Sequence, residues 1–173
     1  GSGAFSLRLQ EAGFHLTCSD LTAENFGNIE NTTFIEADLN GAFETKFEGM
    51  FDAVISLEVI EHLENPWNFL REIRKLLSKG GLLVLSTPNS DSVLDRLTYL
   101  LHGHPFYFGE RGYVNSEGHI TPVPDWLFKK IVDECDNDDH LVEIGTYFGQ
   151  SACCMGELIK NSKKNIIFDS IDS

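Results

Sequence analysis

The stretch Phe51-Asp-Ala-Val-Ile-Ser-Leu-Glu-Val-Ile-Glu-His-Leu63 decides the fold of this 173-residue chain. Its first seven residues form a nearly continuous apolar run, which is typical of a β-strand that is buried on both faces. Asn65-Pro66 follows, and a proline suits the first turn of a helix. Beyond it, apolar residues recur at helical spacing between charged ones, namely Trp67, Leu70, Ile73, Leu76 and Leu77. The stretch therefore predicts a buried strand that leads into an amphipathic helix.

The same alternation continues on both sides of this stretch. Helices are predicted at Ala4–Ala12 and Val93–Leu101, and strands at Phe14–Ser19, Thr33–Ala37 and Leu82–Ser86. Strands that alternate with amphipathic helices indicate βαβ units and a mostly parallel sheet with helices on both faces. We therefore expect an α/β fold of the Rossmann-like, doubly wound type, in which ligands bind at the carboxyl ends of the strands.

Glycines and acids stand where such a fold holds a nucleotide. Gly1-Ser-Gly3 precedes the first predicted helix, and glycine lets a backbone approach a ligand closely. Asp20 ends the next strand, where a carboxylate can accept hydrogen bonds from the two hydroxyls of a ribose. Asp38 ends the following strand, where it can accept from an adenine amino group while Leu39 packs on the ring. Either acid taken alone is explained by a turn or a cap, so the prediction rests on their order along the chain.

Taken in order, these motifs resemble the class I S-adenosylmethionine-dependent methyltransferases, in particular the small-molecule type that includes ubiquinone-biosynthesis-like enzymes. The resemblance runs from Gly1 to about Thr121. The segments that carry it are Gly1–Phe5, Ser19–Leu21, Glu36–Leu39, Phe51–Leu63, Leu76–Asn89 and Gly118–Ile120.

The resemblance implies that S-adenosylmethionine is the cofactor, that it lies across the strand ends, and that its methyl group passes to a small-molecule acceptor. It also implies a role for each matching residue. Gly1 and Gly3 face the methionine part, Asp20 with Leu21 takes the ribose, Asp38 and Leu39 frame the adenine, and Leu57 and Glu58 line the floor near the methyl group.

One departure from the family concerns the first strand. The glycine loop of the family follows a first strand, and nothing precedes Gly1 here. Without that strand we expect a gap in the sheet, flanked by unpaired backbone groups. Either the missing residues belong to a longer parent protein, or another segment fills the position.

Residues 102–123 interrupt the alternation and predict a structureless lid over the 1–123 core, because the stretch is rich in glycine, proline, histidine and aromatic residues. His104 and His119 lie in it and are candidates for a catalytic base that acts on the acceptor. A metal site requires three or four converging ligands, and the histidine spacing does not indicate one. We therefore predict no metal.

The segment 124–173 allows two interpretations. It forms the closing helix and strands of the same domain, or Glu143-Ile-Gly145-Thr-Tyr-Phe-Gly149 opens a second methyltransferase-like unit with Asp172 as its ribose acid. The spacing favours the second interpretation. A third hypothesis places Leu141–Gly145 in the vacant first-strand position, in the same chain or in a partner, as in a homodimer formed by strand swapping.

Composition limits the partners. Acidic residues outnumber basic ones 27 to 13, which gives a net charge of −14 and argues against a nucleic acid. No apolar run approaches the ~20 residues of a membrane span, and no secretory leader is visible, so we predict no membrane partner and a cytoplasmic location.

Two rival functions remain. One is an NAD-dependent dehydrogenase, against which Asp38 and the stretch Glu58–Leu63 argue, and the other is a truncated, non-catalytic fragment of the methyltransferase fold.

Overall fold

The stretch from Phe51 to Leu63 folds as a strand that leads into a helix, as its sequence predicts. The structure is a computed structural model that describes residues 3–27, 29–115, 118–124, 127, 133, 140–144 and 159–171. The chain divides into two compact units, Gly1–Glu48 and Gly49–Ser173. Each unit contains its own parallel sheet, so the prediction of a Rossmann-like parallel α/β fold is confirmed.

The first unit begins with helix α1 (Ala4–Glu11), which ends before Gly13, a residue whose φ of 93° closes the helix. Strands β1 (Thr17–Asp20) and β2 (Thr33–Glu36) follow and pair in parallel. A 3₁₀ helix (Glu44–Lys46) completes the unit. Strand β1 begins later than the predicted start at Phe14, because residues 14–16 come before the first pair of the ladder.

The second unit contains a four-stranded sheet in the order β3-β4-β5-β6, in which every neighbouring pair is parallel. The strands are β3 (Phe51–Leu57), β4 (Leu77–Ser86), β5 (His140–Ile144) and β6 (Ile167–Ile171). Its helices are a 3₁₀ helix (Ile60–His62), α2 (Pro66–Leu76), α3 (Val93–His102) and α4 (Glu110–Asn115).

Helix α2 shows why this sequence forms this element. The side chain of Asn65 caps it by accepting the N–H of Asn68 at 3.0 Å, and Pro66 occupies its first turn. Four of its apolar side chains are buried on one face, namely Phe69, Leu70, Ile73 and Leu76. Burial of such a side chain contributes about 1.5–3 kcal/mol, so this face anchors the core of the second unit.

Strand β4 begins directly after α2, earlier than the predicted Leu82. The pairing register jumps from Leu77 opposite Phe51 to Leu82 opposite Ala53, and Gly80 with a φ of 75° lies inside the irregularity. The regular part of the ladder therefore begins at the predicted position, and the residues before it form a bulge.

The expectation that the 102–123 stretch is structureless is wrong, because α4 occupies Glu110–Asn115 within it. The role of the stretch as a lid stays a prediction. The glycines and prolines that suggested a structureless loop stand mainly before and after these six residues, which leaves room for a short helix. Across the described ranges, no helix is both long and apolar enough to cross a membrane.

The described strands belong to two sheets, one in each unit. Among the described residues, β1 pairs with β2 alone, and β3 pairs with β4 alone. Strand β5 lies between β4 and β6, so the hypothesis that Leu141–Gly145 fills the vacant position in the same chain is wrong. Strands β5 and β6 are parallel, and helical residues 159–162 come before β6. This arrangement suits both interpretations of the segment 124–173, so both interpretations stay predictions.

Candidate functional site

In the first unit, two acids lie at the carboxyl edge of the sheet. Asp20 ends β1 and stands opposite Glu36, the last residue of β2, while Asp38 follows two residues later. The N–H of Leu21 donates to Asp20 Oδ1 at 2.7 Å, and the N–H of Asn40 donates to Asp38 Oδ1 at 2.9 Å. These bonds orient the two carboxylates.

An apolar residue follows each of these two acids in the chain. Leu21 is exposed and Leu39 is half-buried, so both present apolar surface next to the carboxylates. Gly3 precedes α1 with a φ of 79°, and a Cβ there would lie 2.8 Å from Ile29 Cδ1 and 3.2 Å from Phe26 Cε2. The positive φ favours glycine at this position, and a Cβ would in addition require the side chains of Ile29 and Phe26 to shift. Gly1 lies outside the described residues.

In the second unit, Leu57 and Glu58 mark the carboxyl end of β3, and both are exposed. The backbone of Glu58 is left-handed, with a φ of 53°. Its N–H lies 3.2 Å from the Ser86 carbonyl oxygen and 3.1 Å from Ser86 Oγ. The Ser86 hydroxyl donates in turn to Glu58 Oε1 at 2.8 Å.

Three side chains with metal-ligand or acid–base chemistry converge beyond this strand end. Glu61 and His62 stand on the 3₁₀ helix, and His119 comes from the segment after α4. One ligand-type atom of each lies within 4.8 Å of the others. We call these three residues the Glu61 cluster. The His62 and His119 rings meet edge to face, with centroids 4.7 Å apart.

Backbone hydrogen bonds bring His119 to this position. The N–H groups of Ile120 and Thr121 both donate to the carbonyl oxygen of Glu61, at 3.0 and 2.9 Å. The hydroxyl of Thr121 donates to the carbonyl oxygen of Leu63 at 2.6 Å. The segment 119–121 is therefore fastened to the 3₁₀ helix, which holds His119 Nε2 3.8 Å from Glu61 Oε1.

Burial sets the electrostatics of the cluster. Glu61 is fully buried, and within the described part of the chain neither of its carboxylate oxygens has a hydrogen-bond partner, although Thr87 and Glu58 lie nearby. Burial, followed by repulsion from the Glu58 carboxylate, raises the pKa of Glu61 to about 7. Burial and then the neighbouring His62 lower the pKa of His119. Among the same described residues, His119 Nδ1 is also buried without a hydrogen-bond partner.

This arrangement can carry out two kinds of chemistry. A carboxyl group that titrates near neutrality, next to an imidazole that stays neutral, can accept a proton from a substrate hydroxyl. Carboxylate and imidazole are also ligands of divalent cations, and catalytic metal sites often use three protein ligands. Orphaned polar atoms on Glu61 and His119 fit either use, since each has unused hydrogen-bonding or ligating capacity.

The sequence identified part of this site. His119 was expected as a base, but its position beside Glu61 depends on the 119–121 segment, which lies far along the chain. In the sequence, the string from Glu58 to His62 was the feature that could have indicated a site at this position. His104 lies elsewhere, with its Nδ1 2.9 Å from the Pro105 carbonyl oxygen and its ring next to Gly109, and it is not in the Glu61 cluster. The absence of a metal stays a prediction.

The second cofactor motif is only partly within the described residues. Glu143 stands on β5, whereas Gly145, Gly149 and Asp172 lie outside them.

Comparisons with known proteins agree with this architecture. A ubiquinone biosynthesis O-methyltransferase, mitochondrial, of Dictyostelium discoideum is 38% identical over 64 residues, covering 36% of this chain and 20% of that protein. The enzyme named ubiquinone biosynthesis O-methyltransferase of Caulobacter sp. (strain K31) is 32% identical over 97 residues, with 51% and 38% covered. That of Cereibacter sphaeroides is 37% identical over 89 residues, with 51% and 32% covered.

The chain thus spans between 20% and 38% of the length of these three relatives. Residues 1–124 match the model of a family described as a methyltransferase domain. The recognition made from the motifs is confirmed, and this protein belongs to the methyltransferase-domain family.

Proposed function

We propose that the protein transfers a methyl group from S-adenosylmethionine to the oxygen of a small-molecule acceptor. Family membership supports methyl transfer, and the relatives named O-methyltransferases support an oxygen acceptor. The observation that carries the proposal is the buried Glu61 cluster beyond the carboxyl end of β3, the edge at which parallel α/β sheets bind ligands.

The cofactor would be held by the acids at the strand ends. Asp20, next to Leu21, would accept from the ribose hydroxyls, and Asp38 would accept from the adenine amino group, with Leu39 against the adenine ring. S-adenosylmethionine supplies an activated methyl group, so the protein mainly has to align the acceptor with it. Such alignment contributes about 7–11 kcal/mol to lowering a barrier of this kind.

The acceptor oxygen must lose its proton during the transfer, and the Glu61 cluster is suited to take it. A pKa of about 7 leaves Glu61 substantially ionised at neutral pH, and the lowered pKa of His119 keeps its ring neutral. Each group can therefore accept a hydrogen bond from a hydroxyl. Glu61, His62 and His119 are also the residues that would hold a divalent cation, which lowers the pKa of a bound hydroxyl.

The first experiment is a calorimetric titration with S-adenosylhomocysteine and, separately, with NAD. We expect the former alone to bind. Binding of NAD alone would contradict the proposal and favour the dehydrogenase alternative. Binding of neither would favour a non-catalytic fragment of the fold.

The second experiment measures methyl transfer to a panel of simple phenols and anilines, with and without a chelator and with added Mg²⁺. We expect the wild type to methylate phenols. The rate of transfer should fall at least tenfold in Glu61→Gln and in His119→Gln, because loss of a general base usually lowers a rate by at least this factor. His104→Gln is the matched control, since His104 is not in the Glu61 cluster. Equal activity in all three variants would refute the assigned role of the cluster.

The remaining expectations about partners are also proposals. The net charge of −14 supports a small acceptor rather than a nucleic acid. We further propose that the protein acts in the cytoplasm without a membrane partner. Sedimentation of the purified chain at several concentrations tests the homodimer formed by strand swapping.

A further inference from the structure

We propose that Asp95 is a positioning residue that holds the segment from Phe106 to Phe108 against the Glu61 cluster. We call Phe106, Tyr107 and Phe108 the aromatic segment. The inference rests on the proposed function, because the cluster is where that function places the transfer of the acceptor proton. Asp95 stands in the first turn of α3, and its side chain binds the backbone of Phe106, 11 residues further along the chain.

Asp95 is a buried carboxylate, only 2% exposed. Such a group is costly to bury unless hydrogen bonds satisfy it. The Ser92 hydroxyl accepts the N–H of Asp95 at 3.1 Å as the cap of α3, and it donates to Asp95 Oδ2. The positive end of the helix dipole also favours a negative charge at this place. Capping of α3 therefore accounts for one carboxylate oxygen and leaves the other to be explained.

The other oxygen binds the aromatic segment. The N–H of Phe106 donates to Asp95 Oδ1 at 2.7 Å, a distance typical of a bond to an ionised acceptor. Gly103 ends α3 with a φ of 79°, and it lies about 12 Å along the helix axis from Asp95. The chain after Gly103 therefore turns back along α3, and the bond to Asp95 fixes Phe106 near the start of the helix.

The aromatic segment also contacts the Glu61 cluster. The Phe108 ring packs on the ring of His119, with centroids 5.6 Å apart and the ring planes tilted by 39°. Phe108 is only 4% exposed. Its N–H donates to the Pro105 carbonyl oxygen at 3.1 Å, which closes a tight turn around Phe106 and Tyr107. Because the turn is short, the position of Phe106 determines where the Phe108 ring lies.

The contact between Phe108 and His119 has a consequence for the chemistry of the cluster. An apolar ring against the imidazole keeps water away from it, and the exclusion of water strengthens the electrostatic interactions inside a site. Asp95 thus acts on the cluster through the backbone of Phe106 and the ring of Phe108. Its bond to Phe106 keeps this cover in place while the acceptor proton is transferred.

Amide hydrogen exchange tests the bond itself. The test compares Asp95→Ala with Asp95→Asn, which keeps an oxygen that can accept from Phe106, and with Arg96→Ala, a control at an exposed residue of the same helix. Exchange of the Phe106 N–H should accelerate at least tenfold in Asp95→Ala, the effect of losing a bond to a charged group. It should accelerate less than fivefold in Asp95→Asn and less than twofold in Arg96→Ala.

The ring protons of His119 report whether the bond positions Phe108. An aromatic ring shifts the NMR signals of protons close to it, and Phe108→Leu gives the His119 signals without that ring. In Asp95→Ala the His119 signals should move towards those of Phe108→Leu, whereas in Arg96→Ala they should stay at the wild-type positions. If Asp95→Ala does not fold, Asp95→Leu fills the buried position without an acceptor and should give the same exchange and the same shifts.

Kinetics show whether the contact serves methyl transfer. On the phenol that the wild type methylates fastest, Asp95→Ala should lower kcat about tenfold, the factor by which the closed position loses stability. The KM for S-adenosylmethionine should change less than twofold, because the acids assigned to the cofactor belong to the first unit. In a Phe108→Leu background, Asp95→Ala should lower kcat less than twofold, because the ring that it positions is gone. Full additivity of the two substitutions would overturn the inference.

The exchange rates and the NMR signals separate this inference from the proposed function. A wild type without methyl transfer contradicts the proposed function, and these two measurements then decide the positioning role alone. Equal exchange of the Phe106 N–H in Asp95→Ala and Arg96→Ala would overturn that role. His119 signals that do not move in Asp95→Ala would overturn it as well.

Discussion

Replacement of Glu61 by glutamine should remove a pH-dependent loss of stability. Burial raises the pKa of Glu61 from 4.5 to about 7, and each pKa unit corresponds to about 1.36 kcal/mol. The folded state therefore keeps a proton that the unfolded state releases as the pH rises above 4.5. Wild-type stability falls through this window by about 3 kcal/mol and levels off above pH 7. Glutamine does not titrate, so the variant avoids this loss.

The expected result is a difference between two curves of unfolding free energy against pH. Apart from a constant offset, the unfolding free energy of the variant should equal that of the wild type near pH 4.5. By pH 8 it should exceed the wild-type value by about 3 kcal/mol. Urea unfolding followed by tryptophan fluorescence, with a chelator present, measures both curves. Glu48→Gln, at an exposed glutamate, is the control and should stay parallel to the wild type. A Glu61→Gln curve that is also parallel to the wild type would refute the reasoning.

Three further predictions concern cofactor binding, the lid and the core. Asp20→Ala should weaken S-adenosylhomocysteine binding at least tenfold by calorimetry, because a hydrogen bond to a charged group contributes about 1.5–3 kcal/mol; unchanged affinity would exclude Asp20 from the site. Gly109→Ala should lose more stability to urea than the matched Gly49→Ala. Both glycines have a positive φ, which costs an alanine about 1–3 kcal/mol, but a Cβ at Gly109 would also lie 2.5 Å from His104 Cγ, whereas one at Gly49 meets open space. Phe69→Ala should cost about 3–5 kcal/mol in the same assay, since the ring is only 2% exposed; a loss below 1 kcal/mol would contradict its place in the core.

Local signals explain which elements could be predicted from sequence. The buried run of β3 and the Asn65-Pro66 start of α2 are encoded within a few residues, and both elements form where predicted. The order of Asp20 and Asp38 behind two strands was also sufficient to place both at one sheet edge. Their part in cofactor binding stays a prediction.

Features that depend on distant contacts could not be predicted in the same way. The irregular start of β4 arises from its register with β3, which no local pattern shows. The Glu61 cluster needs the N–H groups of Ile120 and Thr121 on one carbonyl oxygen, and that pairing joins two segments separated by all of α2, β4, α3 and α4. Helix α4 has only six residues and lies between glycines, so the sequence pattern did not predict a helix there.

The edge of β3 that faces away from β4 has a consequence for the behaviour of the chain in solution. In the described residues one side of this strand pairs with β4, and Ile55 and Leu57 are 39% and 38% exposed. Such an edge is a template on which another copy can add a strand. Repulsion between copies that each carry a charge of −14 opposes this association. Added salt screens that repulsion, with a Debye length that falls to roughly 8 Å at 0.15 M, so concentrated solutions should aggregate first at high ionic strength.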